Sequence, residues 1–245
     1  MKNYILTTAT LIALCFASSC DYVKREYLTE KKPFRTVSVM RDLTDQCALT
    51  DTQVIMNFIK CSDDEMYGGM VYRGSYISSE DRPVDQIVIH STLWLTAERT
   101  ARVSAVKQFR TNVLRSINTL KATNEQPKQF SMVAKSISRE INALAVLEND
   151  RVLICFSDLL ESTPAWSFYN TQNFLEAKRN PKAVAEKFQQ MVPIPDTKGI
   201  TAYFLYQPKD YYDQAKYDVA LIVVKTWLES RGVKVISSPN LLPNV

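Results

Sequence analysis

Glycine is scarce in this chain, at five of 245 residues. None of the five lies in a run that would bring backbone amides around a phosphate, which excludes a Walker loop and a dinucleotide fingerprint. Histidine occurs once, as His90, within a strand-like pattern. No Cys/His set therefore has zinc spacing, and His90 reads as structural rather than catalytic. Charge of one sign is not in excess. Lys and Arg total 30 against 26 Asp and Glu, a net +4, with no basic run interleaved with aromatics. That balance argues against a nucleic-acid partner. After the first twenty residues there is no second long apolar run, no internal repeat and no low-complexity tract.

The N-terminus has the plan of an export signal. Lys2 gives a basic start, Tyr4 to Phe16 is uncharged and largely apolar, and Ala17-Ser18-Ser19 supplies small residues before Cys20. This is the three-part pattern of a secretory leader, and its middle is shorter than the roughly 20 apolar residues of a spanning helix. Ala17-Ser18-Ser19-Cys20 resembles the lipobox of bacterial lipoproteins, with Ala17 where Leu is usual. The resemblance implies cleavage after residue 19 and lipid on Cys20. The chain is then expected in the cell envelope, outside the cytoplasm, held to a membrane by that lipid. Residues 20–34 are charged and read as a tether, which at roughly 3.3 Å per residue reaches about 40 Å. Residues 35–245 are long enough for one domain with a sizeable core.

Five cysteines are present. Cys15 leaves with the leader and Cys20 carries lipid, so Cys47, Cys61 and Cys155 remain, an odd number for a disulfide set. Cys47 and Cys61 bracket a predicted helix, and their redox state stays open. Cys155 lies in an apolar run and reads as a small buried hydrophobe.

Along the folded part, Arg35 to Arg41 alternates as a strand does. Val54, Ile55, Phe58 and Ile59 share one helical face. Gly68 to Ile77 and Asp85 to Leu95 read as two strands joined by a turn. Val103 to Leu120 and Val133 to Leu144 recur at steps of three and four, giving two helices. Arg151 to Phe156 is nearly all apolar, the pattern of a strand covered on both faces. A long aromatic-bearing connection runs from Leu159 to Arg179, and Asn180-Pro181 opens a short helix. Ile200 to Tyr206 is a strand, Ala215 to Arg231 a helix stopped by Gly232, and Val233 to Ile236 the last strand. Strands alternating with helices imply a doubly wound, mainly parallel sheet of six strands with helices on both faces. The adjacent pair of strands implies one antiparallel edge.

In such a sheet, ligands bind beyond the carboxyl ends of the strands. Asp42 follows the first strand and Asp158 the buried one. Thr44 and Asp45 share the turn with Asp42, and Ser131 opens the helix that feeds the buried strand. Two carboxylates and two hydroxyls are hard oxygen donors of the kind Mg²⁺ prefers. The same residues can equally serve as turn and helix caps.

This pattern resembles the von Willebrand factor A-like domains, over about residues 35 to 240. The family's metal-ion-dependent adhesion site has Asp-x-Ser-x-Ser after the first strand, a Thr before a later helix and an Asp after the central strand. Asp42 falls on the first Asp, Thr44 on the first Ser, Ser131 on the Thr and Asp158 on the last Asp. Gln46 falls on the second Ser, a departure. The resemblance implies Mg²⁺ whose open position takes an acidic group of a partner. Three functions are then in view. The first is a non-enzymatic binding module for a protein or a glycan. The second is a metal-free structural lipoprotein of a secretion or transfer apparatus. The third is a metal-dependent hydrolase, for which no general base is visible.

Overall fold

The computed structural model describes residues 35–44, 49, 52–59, 68–91, 98–123 and 130–240. The leader, Cys20, the tether, Asp45, Gln46, Cys47 and Cys61 lie outside the described residues. In chain order the elements are β1 (Arg35–Asp42), α1 (Thr52–Ile59), β2 (Met70–Ile77), β3 (Asp85–Ile89), α2 (Arg99–Ala122), α3 (Val133–Ala145), β4 (Asp150–Phe156), α4 (Thr171–Arg179), α5 (Pro181–Met191), β5 (Ile200–Leu205), α6 (Tyr211–Glu229) and β6 (Lys234–Ser238). The strands form one sheet in the order β3-β2-β1-β4-β5-β6. All neighbours are parallel except β2 and β3, whose antiparallel pairing makes β3 the edge. This is the α/β architecture expected from the alternation of elements.

The central strands explain the apolar runs. In β1, every residue from Thr36 to Asp42 is buried, and β4 is buried from Arg151 to Phe156. Successive strand residues point to opposite faces, so both faces are covered by helices. Val37, Val39 and Met40 of β1 join Leu153, Ile154 and Phe204 in a core that is at most 2% exposed. Each such side chain contributes roughly 1.5–3 kcal/mol on burial. Val133, Ile137, Ile141 and Leu144, the predicted stripe of α3, are all buried against it.

Two arginines on the central strands fasten helix ends. Arg41 Nη1 donates to the Leu120, Lys121 and Thr123 carbonyls at 2.6, 2.9 and 2.8 Å. These are C-terminal carbonyls of α2, where cations are favoured. Arg151 reaches the Leu144 and Ala145 carbonyls at the end of α3 and also donates to the Lys198 carbonyl. The end of α2 is thus pinned to the carboxyl end of β1, beside Asp42.

Two features differ from the sequence reading. The connection after Leu159 contains α4, whose first amides, Gln172 N and Asn173 N, donate to the Asn170 side chain. Asn170 caps a helix with no strong apolar stripe, which is why periodicity overlooked it. Asn180 ends α4 and caps α5, the short helix expected at Asn180-Pro181, so α4 alone interrupts the long connection. The last helix begins at Tyr211 rather than Ala215, because Asp210 accepts from Asp213 N at 2.8 Å. Gly232 lies just beyond it with φ +83°, where an added Cβ would sit 2.1 Å from the Thr197 carbonyl oxygen. Only glycine fits that close approach at positive φ.

Candidate functional site

The sheet reverses its winding between β1 and β4. Chain order runs from β1 out to β2 on one side and from β4 out to β5 on the other. The carboxyl ends of β1 and β4 therefore flank the topological switch point, where ligand crevices form in this class of sheet. Register pairs Arg41 with Phe156, which sets Asp42 beside Ser157. The contact follows: Ser157 Oγ donates to Asp42 Oδ2 at 2.7 Å.

Asp42 is fully buried. Its Oδ1 accepts from Thr44 N at 2.9 Å and from Thr44 Oγ1 at 2.6 Å. The Thr44 and Ser131 hydroxyl oxygens are 3.0 Å apart. A hydroxyl has one proton and two lone pairs. Thr44 spends its proton on the carboxylate in the shorter bond, so the contact with Ser131 is completed by the serine proton. Asp42, Thr44 and Ser131, three of the four residues singled out in the sequence, thus form one hydrogen-bonded chain. The fourth, Asp158, is 3% exposed. Its Oδ1 accepts from Leu160 N at 2.9 Å, while Ser157 Oγ accepts from Leu159 N. Both aspartates cap turns through these bonds. Burial pushes the Cys155 thiol up, and the nearby Asp42 and Asp158 add to the rise.

Two members of the cluster were not singled out in the sequence. One is Ser157. The other is Glu161, only 2% exposed, whose Oε2 accepts from Ala134 N at 2.7 Å. The residue before α3, Met132, offers no side-chain cap, and a buried helix start needs an acceptor from somewhere. Glu161 supplies it from across the loop. Burial pushes its carboxyl up to about 7, the Ala134 amide and the Thr163 hydroxyl pull it back, and the charge of Asp42 adds to the rise. The same loop holds Ser131 in place. Ser131 N donates to the Ser162 carbonyl at 2.8 Å and Ser162 N to the Ser131 carbonyl at 3.0 Å. Just ahead of these two anchors Leu159 adopts φ 62°, a strained value for a bulky side chain that persists only where its surroundings impose it.

The donor set can be tested against a hard cation. A hydroxyl whose proton is turned inward to a carboxylate keeps lone pairs for an electropositive ligand. Thr44 has that arrangement, with Ser131 next to it and Asp42 as the charge behind them. This fits Mg²⁺, which retains several waters and takes few protein ligands. Among the described residues no group of three or more His, Cys, Asp or Glu side chains is placed to hold a metal. A cation here would therefore depend on the hydroxyls.

The remaining sequence candidates separate cleanly. His90 follows β3 at the amino-terminal edge of the sheet, since Met70, which opens β2, pairs with Ile89. Its carbonyl accepts from Arg102 at 2.8 Å, and it lies at the opposite edge from Asp42 and Asp158. Trp166 and Phe168 are buried and join Phe188 and Trp227 in edge-to-face contacts at 5.9 to 6.4 Å. Tyr169, Tyr211 and Tyr212 are exposed. No described helix is long and apolar enough to cross a membrane.

The chain is an α/β domain with a largely buried cluster of side-chain oxygens at the switch point of its sheet. No family model and no curated protein matches the chain. Among solved structures it is similar to the human COPII-coat protein Sec24c, at 10% identity and a TM-score of 0.31. The match covers 84% of this chain and 30% of that one.

Proposed function

We propose that this chain is an extracytoplasmic binding module of von Willebrand factor A-like type. It is tethered to a membrane through lipid on Cys20 and engages a protein partner at the carboxyl-end rim of its sheet. The observation that carries the reading is the convergence of Asp42, Thr44 and Ser131 in one bonded chain at the switch point. Asp158 lies at the end of the neighbouring strand. In this reading Thr44 and Ser131 offer lone pairs to Mg²⁺, and Asp42 and Asp158 balance its charge. When bound, the ion would supply an open position for a partner's acidic group.

A second reading is favoured by one specific fact. Asp42 has no exposed surface, and both its oxygens already accept protons from Ser157 and Thr44. A carboxylate satisfied in this way needs no metal, and the rim would then serve a structural lipoprotein through shape alone.

Calorimetric titration of Mg²⁺ into the full-length chain in detergent separates the two. On the first reading binding is saturable, and it weakens about tenfold or more in Thr44→Val, which removes one oxygen ligand and little volume. No Mg²⁺ heat in the parent chain, or equal heat in the variant, would leave the metal-free reading standing.

A further inference from the structure

The loop between β4 and α4 is anchored at both ends. At the β4 end, Ser157 Oγ donates to Asp42 Oδ2. At the far end, Trp166 and Phe168 are buried against Phe188 of α5, with ring centres 6.1 and 6.4 Å from it. The loop is also folded on itself. Thr163 N donates to the Trp166 carbonyl at 2.8 Å, and Phe168 N to the Glu161 carbonyl at 3.0 Å. Glu161 and Ser162 are therefore fixed from both sides, by the sheet and by the core under α5.

These two residues hold the start of α3. Ser162 exchanges backbone bonds with Ser131 at 2.8 and 3.0 Å. Glu161 Oε2 accepts from Ala134 N at 2.7 Å. Ala134 is buried and Met132 offers no side-chain cap. Without Glu161 the Ala134 amide loses this acceptor, and a buried amide without an acceptor is costly. The first turn of α3 relieves that cost by fraying toward water. Ser131 lies just ahead of that turn, so fraying displaces its hydroxyl. The contact it makes with Thr44 Oγ1, at 3.0 Å, joins residues 87 apart in the chain. Only the packing of the two segments keeps those oxygens together.

We infer that Glu161 is a positioning residue for the rim: by holding the first turn of α3 it sets the Ser131 hydroxyl against Thr44. The inference rests on these two hydroxyls being the binding oxygens proposed above. The placing of Ser131 itself does not involve Mg²⁺.

The test compares the full-length parent chain in detergent with Glu161→Ala, Glu161→Gln and Ile117→Val. Ile117→Val is a core change on α2, comparable in cost to a lost helix cap. At pH 6 the Glu161 carboxyl, raised to about 7, is mostly protonated, so neither substitution at 161 changes much charge. Two readouts are taken, amide hydrogen exchange at Ser131 and Ser162 and calorimetric titration with Mg²⁺. In Glu161→Ala both amides are expected to exchange about tenfold faster or more, the size of one lost cap. Mg²⁺ binding is expected to weaken about tenfold, the lower end for a group that supports metal ligands. Glu161→Gln, which keeps an oxygen for Ala134 N, is expected to restore both, and Ile117→Val to change neither. Parent-like exchange in Glu161→Ala, equal acceleration in Ile117→Val, or no recovery in Glu161→Gln would each overturn the inference. So would parent-like Mg²⁺ affinity in Glu161→Ala. A parent chain that takes up no Mg²⁺ would remove the Mg²⁺ reading and leave exchange at Ser131 to decide this one.

Discussion

Glu140→Ala is expected to lower the free energy of unfolding by about 3–5 kcal/mol, the cost of leaving a buried charge without its partner. Glu140 sits on α3 with no exposed surface. Its Oε2 accepts from Ser38 Oγ at 3.0 Å and Arg73 Nε at 2.9 Å, and its Oε1 from Arg139 Nε at 3.3 Å. Ser38 lies on β1 and Arg73 on β2, so one carboxylate ties a helix to two central strands. Removing it leaves the Arg73 guanidinium, 15% exposed, without its counter-charge and with Gln86 Oε1 as an acceptor at 2.7 Å, and opens a void. The remedy follows from the same physics. Replacing both Glu140 and Arg73 by Leu removes the charges together and is expected to recover most of the loss. Urea denaturation of the three proteins checks this. A loss below about 1 kcal/mol in Glu140→Ala would mean that the pair merely offsets its own desolvation.

The second large effect concerns pH. The Glu161 carboxyl is raised from 4.5 to about 7 in the folded chain. Between those values the native state holds a proton that the unfolded state has released. Stability therefore falls as pH rises through that window, and it levels off above about 7. At 1.36 kcal/mol per pKa unit the change is about 3 kcal/mol. Glu161→Gln keeps an oxygen for Ala134 N and removes the titration. The variant is expected to match the parent near pH 4.5 and to be more stable by about 3 kcal/mol at pH 8. Denaturation midpoints at the two pH values read this directly. A variant less stable than the parent at pH 8 would show that the carboxylate's charge, not its desolvation, dominates at the start of α3.

Local signals carried the reading of the fold. The unbroken apolar run of β4 marked a strand buried on both faces, and the i, i+3, i+4 spacing of Val133 to Leu144 marked α3. Both are properties of short segments. The site was only half visible for the same reason. Asp42 and Asp158 could be placed because strand ends are local, and Thr44 lies on the same turn. Glu161 escaped because its role comes from a contact with Ala134, 27 residues away. The missing cap at Met132 was the available clue. Glu140 escaped similarly, since a Glu on an amphipathic helix reads as solvent-facing until the arginine and serine from two strands are brought to it. Trp166, Phe168 and Tyr169 show the limit sharply. Consecutive aromatics in one loop divide between core and surface according to packing that no periodicity records.

The most direct test of the rim as the binding face is site-specific photo-crosslinking in the intact cell envelope. A photoreactive residue at Tyr169 or Tyr211 samples the carboxyl-end rim, and one at Lys198 or Lys234 samples the amino-terminal edge. Discrete crosslinked adducts at the rim positions and none at the edge positions are the expected result. Adducts confined to Lys198 and Lys234 would place the binding face at the other end of the sheet and contradict the proposal.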